Sequence, residues 1–253
     1  MGKEVVIAVA GKGGTGKTTF AALMLRHLTS KYKNKAILAV DADANANLNE
    51  ALGMEVEDTI SSALEATKDP RAVPTGMTKD MFMEMRVSQC MVESDLIDLL
   101  VMGNPTGPGC YCYPNNLLKN YFEKLRTNYD YIMVDNEAGL EHLSRRTIDD
   151  IDHFIITSDA TARGIRSAAR VNEIVKSLKF NVGKTYLVIS RTRGNEVDNL
   201  KAEIDKTGLD LLGTIPLDEA VMDYDLNGKP LFELPDDSPA VQAVGKIVEK
   251  LAL

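Results

Sequence analysis

Nine consecutive residues near the start of the chain carry its clearest chemistry: Gly11-Lys12-Gly13-Gly14-Thr15-Gly16-Lys17-Thr18-Thr19. They follow the apolar run Val5–Ala10 and lead into a segment of helical periodicity, 17–32. Glycines at this spacing let backbone N–H groups close around an anion, and the start of a helix adds its dipole. The pattern GxxxxGK[ST] aims Lys17 at the β- and γ-phosphates of a nucleoside triphosphate and the Thr18 hydroxyl at Mg²⁺. The segment therefore reads as a phosphate loop.

Carboxylates follow two later apolar runs. Ala36–Val40 ends in Asp41-Ala42-Asp43, and Tyr131–Val134 ends in Asp135-Asn136-Glu137-Ala138-Gly139. Ligands of open α/β sheets bind beyond the carboxyl ends of the strands, where these acids fall. A lone aspartate after a strand can equally be a helix cap, but two of them in order behind a phosphate loop favour a cation site.

A third feature is Cys110-Tyr111-Cys112, set in a loop opened by Gly107, Pro108 and Gly109. Thiolates are soft ligands for Zn, Ni, Cu(I) or iron–sulfur clusters. Two cysteines one residue apart do not complete a tetrahedral site, whereas a two-fold dimer would bring four sulfurs to one axis. A pair of small buried side chains, or a disulfide, is the alternative reading of an isolated CxC. Cys90 stands apart and reads as a core or free thiol. His142 follows the Asp135 segment and reads as a capping or packing residue, with an auxiliary ligand as the lesser alternative. Met77, Met81, Met83, Met85 and Met91 read as adaptable filling or a partner surface, and Arg163, Arg166 and Arg170 as a solvated stripe.

These groups need a scaffold. The remaining strand candidates are Leu99–Met102, His153–Thr157, Thr185–Ile189 and Leu211–Ile215, mostly unbroken apolar runs of the kind buried on both faces. Helical windows lie at 117–128, 140–149, 161–178, 196–207 and 238–253. Such alternation predicts an α/β fold, a single doubly wound, mostly parallel sheet flanked by helices, as one domain over 1–253. The stretch 54–95 is the least regular and reads as an insertion or a partner-facing region. The chain has 253 residues, 44% of them hydrophobic and 26% charged, enough for a sizeable core. Its 37 acidic against 29 basic residues leave a net charge of −8, which argues against nucleic acid as a partner. No apolar run approaches a membrane span or a secretory signal, so the expected location is cytoplasmic, away from membranes.

The sequence K-G-G-x-G-K-[ST], with its second lysine at Lys12, resembles the deviant phosphate loop of the MinD/ParA/nitrogenase-iron-protein class of ATPases. The resemblance implies that Lys12 reaches the other subunit's nucleotide across a dimer. It further implies that Asp43 orients the attacking water, that Asp41 lies near the Mg²⁺ shell, and that Asp135 holds Mg²⁺ with Gly139 as a pivot. That class expects an Asn-Lys pair at the adenine after the Thr185–Ile189 strand; this chain has Ser190-Arg191 there, and ATP is the expected nucleotide. The run LVMGNPTGPGCYCYPNNLLKNY, followed by VDNEAGLEHLSRRT, looks like the nickel-insertion ATPases of the CooC/AcsF type. This implies an ATP-driven homodimer that binds Ni²⁺, or Zn²⁺ in the same site, through Cys110 and Cys112. It implies delivery to carbon monoxide dehydrogenase or acetyl-CoA synthase.

Two other readings stand beside this one. An electron-transfer ATPase resembling the nitrogenase iron protein would hold a [4Fe–4S] cluster on the same sulfurs, although that family draws its cysteines from separate loops. A MinD/ParA-like positioning ATPase would need a membrane or DNA surface. The amphipathic segment Ala240–Leu253, with Val241, Val244, Ile247, Val248 and Leu251 on one side, is better explained by packing on the sheet.

Overall fold

The computed structural model describes residues 4–66, 70–104, 112–137, 150–177 and 181–253. Seven strands form one parallel sheet: β1 (Val5–Gly11), β2 (Ile37–Ala42), β3 (Asp98–Val101), β4 (Tyr131–Asn136), β5 (Asp150–Asp159), β6 (Asn181–Thr192) and β7 (Asp210–Pro216). Their spatial order is β3-β2-β4-β1-β5-β6-β7. β1 is central, pairing with β4 through Val5 to Val9 and with β5 through Ile7 to Gly11.

Strand alternation divides the core into two layers. Val6, Ala8 and Ala10 point into one. That layer is covered by α3 (Ile60–Ala66), α4 (Lys79–Gln89), α5 (Cys112–Leu125), α6 (Ala162–Ser177) and α7 (Glu196–Thr207), through residues such as Ile60, Met83, Phe122, Ile165 and Ile204. Ile7 and Val9 point into the other, beneath α1 (Lys17–Lys31), α2 (Leu48–Leu52), α8 (Glu219–Leu226) and α9 (Pro239–Lys250). Because both faces are covered, the central strands carry almost no polar alternation.

The stretch 54–95 contributes α3 and α4 to this cover. Ile60, Ala63, Leu64, Met83, Val87 and Cys90 are all buried in the first layer. Thr78 caps α4 by accepting the Met81 N–H. Pro70, Pro74 and Gly76 break the pattern between the two helices and keep each one short, so neither shows the long periodicity that marks a helix in sequence. Of the methionines, Met83 is buried and Met81 exposed. Arg166 of the arginine stripe pairs with Glu203 of α7 at 3.4 Å. The helical window 140–149 lies outside the described residues.

The final helix is committed to the core. Ser238 caps α9 by accepting the Val241 N–H, Pro239 occupies its first turn, and Val244, Ile247 and Val248 are buried with Leu25 and Leu28 of α1. Gly245 lets the two helices close, since a Cβ there would sit 3.1 Å from His27 Nδ1. His27 Nε2 is buried without a hydrogen-bond partner. Burial, and then the Lys31 charge, hold His27 below the ordinary histidine pKa, while Glu249 pulls the other way. The sign follows from linkage: as pH falls through the usual histidine range, the unfolded chain takes up this proton first and stability drops. Chemical denaturation between about pH 7.5 and 5.5 should show wild type losing more stability than His27→Gln. Identical profiles would remove the assignment.

Candidate nucleotide-binding site

Residues 12–16 form the loop between β1 and α1, at the carboxyl end of the central strand where the chain turns to either side. Gly11 lies so close to β5 that a Cβ would meet the Thr157 carbonyl and hydroxyl oxygens at 2.5 Å. Gly14 and Gly16 hold left-handed backbone, φ 75° and 79°, a conformation that side-chain-bearing residues rarely adopt. Thr15 anchors the loop from within. Its hydroxyl donates to the Lys12 carbonyl at 2.7 Å and pairs with the Thr157 hydroxyl at 2.8 Å, and its N–H donates to Lys12 O at 3.2 Å.

Helix α1 starts at Lys17 with no side-chain cap, since Gly16 has none to offer. Its first-turn N–H groups are therefore those an anion would satisfy. Lys17 is buried, Thr18 and Thr19 are half-buried, and Lys12, Gly13 and Gly14 are exposed.

Two carboxylates face each other behind the loop, Asp41 of β2 and Asp135 of β4, which are partners in the sheet register. Both are fully buried. Asp41 accepts the Asp43 N–H at 3.0 Å on one oxygen and the Leu48 N–H at 2.9 Å on the other. Asp135 Oδ2 accepts the Thr18 hydroxyl at 2.6 Å, and its Oδ1 has no partner. Burial pushes Asp135 up to about 7; Thr18 and Lys17 draw it down, and the neighbouring Asp41 and Asp43 push it up. Burial also raises Asp41 to about 6 against its two backbone hydrogen bonds.

Adjacent buried carboxylates of one sign are costly unless a cation joins them. Hard oxygens from a hydroxyl and a carboxylate suit Mg²⁺, and the unpartnered Asp135 Oδ1 fits that use. The sequence groups Asp41 with the magnesium shell. In the fold both its oxygens already serve the turn that leads to Asp43. Asp43 is half-buried at the end of that turn, its Oδ1 accepting the Asn45 N–H at 2.9 Å and the Asn45 side-chain amide at 3.0 Å.

From the loop a cavity of about 660 Å³ runs along the carboxyl ends of β5, β6 and β7. Gly14, Gly16, Thr19, Ser190 and Arg191 line its loop end; Asp159, Thr161, Glu196, Pro216, Leu217 and Met222 line the remainder. Its size and mixed polarity suit a nucleoside. Ser190 and Arg191, expected at the base, instead hydrogen-bond to the loop: the Ser190 hydroxyl donates to Thr15 O at 2.7 Å, and the Arg191 guanidinium donates to Gly14 O. Thr157, Asp159 and Leu217 carry no motif, and their only sequence signal is their position at strand ends.

Cys110, Tyr111, Gly139 and His142 lie outside the described residues. Cys112 is the first residue of α5, the helix between β3 and β4. Among the described residues, no helix is long and apolar enough to cross a membrane.

The profile of the CobQ/CobB/MinD/ParA nucleotide binding domain matches residues 6–231. An uncharacterized ATP-binding protein of Methanocaldococcus jannaschii is 39% identical, with 98% of both chains covered. The carbon monoxide dehydrogenase accessory protein CooC of Rhodospirillum rubrum is 31% identical, covering 92% of this chain and 90% of its own. The cell division protein MinD of Aquifex aeolicus superposes with a TM-score of 0.71 at 24% identity, over 98% of this chain and 97% of its own.

Proposed function

The chain belongs to the CobQ/CobB/MinD/ParA nucleotide-binding family and is a P-loop ATPase, and from that premise we propose that it is a dimerising nickel metallochaperone. In this reading Cys110 and Cys112 of two subunits hold one Ni²⁺ ion as cargo. ATP binding and hydrolysis switch the dimer between holding and releasing it. The client is carbon monoxide dehydrogenase or acetyl-CoA synthase. One observation carries the reading: the Cys110-Tyr111-Cys112 spacing occurs in a chain 31% identical, almost end to end, to a carbon monoxide dehydrogenase accessory protein.

The chain's own residues divide the hydrolytic work. Loop N–H groups and Lys17 hold the β- and γ-phosphates, and the exposed Lys12 extends to the partner's nucleotide. Asp43, held by the turn through Asn45, orients the attacking water. Thr18 and Asp135 hold magnesium, which when bound neutralises the charge building on the phosphates.

Activation of a nickel-free client tests the proposal. Nickel-free carbon monoxide dehydrogenase, mixed anaerobically with this protein, limiting Ni²⁺ and ATP, should gain CO-oxidising activity several times faster than with Ni²⁺ alone. The same assay is run on nickel-free acetyl-CoA synthase. No acceleration of either client, with ATP hydrolysis intact, would overturn the reading.

A positioning role like that named for MinD is the second reading, supported by the shared fold. The terminal helix that such a role would place on a membrane has its apolar face buried against α1 and the sheet. That burial speaks against a membrane use of this helix and leaves a DNA-surface form of positioning untouched.

A further inference from the structure

Two residues near the carboxyl end of β6 act on the phosphate loop. Ser190 is 4% exposed, and its hydroxyl donates at 2.7 Å to the Thr15 carbonyl, with a longer contact to Ser158 O at 3.3 Å. Arg191 stands in left-handed backbone, φ 53°, and its guanidinium turns back onto the Gly14 carbonyl. A side-chain-bearing residue rarely adopts that conformation, so the turn that sends Arg191 back over the loop is strained and held by its surroundings.

A trans peptide is planar, so fixing a carbonyl fixes the N–H of the same peptide in the opposite direction. The Thr15 carbonyl shares its peptide with the Gly16 N–H. Ser190 therefore turns that N–H away from itself, toward the side on which the loop closes around phosphates. Ser190 lies against the loop at this point, since a Cβ on Gly16 would be in ordinary contact with its Oγ at 3.5 Å. Thr15 is clamped from the other side by Thr157.

We infer that Ser190 and Arg191 are positioning residues for the phosphate loop and do not select the nucleoside base. This rests on the reading of the loop as the nucleotide site and assigns the division of labour within it.

The test uses a ligand with no base. Affinities of wild type, Ser190→Ala and Arg191→Gln are measured for ATP, GTP and inorganic tripolyphosphate, by competition with a fluorescent ATP analogue in the presence of Mg²⁺. Loss of one hydrogen bond to the loop should weaken all three ligands by the same factor, about five- to tenfold. The comparison is made among ligands in one preparation, so a reduced folded fraction cancels. Arg191 is exposed, and its substitution keeps the core intact. Weaker ATP binding with tripolyphosphate unchanged would assign the pair to the base and overturn the inference, as would unchanged affinity for all three. A wild-type protein that binds none of them would refute the nucleotide site itself, a separate outcome.

Discussion

Lys17→Ala should lower the rate of ATP hydrolysis by about three orders of magnitude, because it removes the buried cation that meets the charge moving onto the β- and γ-phosphates. Binding should suffer less, since the loop N–H groups and the open first turn of α1 remain. Lys12→Ala should be comparably inactive for a different reason. Lys12 is exposed and contributes only its backbone carbonyl to its own loop, through the two Thr15 hydrogen bonds. If its side chain serves the partner's nucleotide, mixing the two inactive variants recovers activity. In a mixed dimer, the subunit carrying Lys12→Ala keeps Lys17 and receives Lys12 from its neighbour, so one of two sites is complete. Random pairing makes half the dimers mixed, which sets the expected recovery at about a quarter of wild type. A steady-state phosphate-release assay on the mixture measures it. No recovery above the separate variants would place both lysines in one subunit's site.

What could be read from the sequence follows what burial demands. Strands covered on both faces must be continuously apolar, so the cores of β1, β2, β4, β5 and β6 stood out as unbroken runs. Their extensions did not: β5 begins at Asp150 and β6 at Asn181, and polar, half-buried or exposed residues there interrupt the apolar run around the buried Ile151. The loop was legible because phosphate chemistry demands glycines and a lysine at fixed spacing.

The division of work between Asp41 and Asp135 was not legible. Both are acids at strand ends, and only the fold shows that two backbone N–H groups occupy the oxygens of Asp41 while Asp135 Oδ1 is left without a partner. Ser190 and Arg191 illustrate the same limit. They stand where the resembling class has its base-contacting pair, which suggested the base, but the Ser190 hydroxyl donates to the Thr15 carbonyl instead. The β7 side of the cavity carried no signal, because Pro216, Leu217 and Met222 are ordinary residues until the sheet order brings them beside the loop.

The cysteine pair should produce the other large effect, an all-or-none loss of cargo. In the proposed dimer, two thiolates from each subunit would meet the tetrahedral preference of a soft four-sulfur site, and one subunit alone would leave it half-built. Metal occupancy should therefore track dimerisation, and removing one cysteine of the pair should remove two of the four donors at once. Cys90 is no substitute: it is buried at the C-terminal end of α4, and burial holds its thiol up at about 11, far from the thiolate a metal needs.

The decisive measurement is the nickel content of anaerobically purified, size-separated protein after loading with Ni²⁺, for wild type and the Cys110→Ser/Cys112→Ser variant. The account predicts close to one nickel per two chains in the wild-type dimer and none above background in the variant. Equal nickel in both proteins would contradict it and leave an ATPase of this fold whose cysteine loop carries no metal.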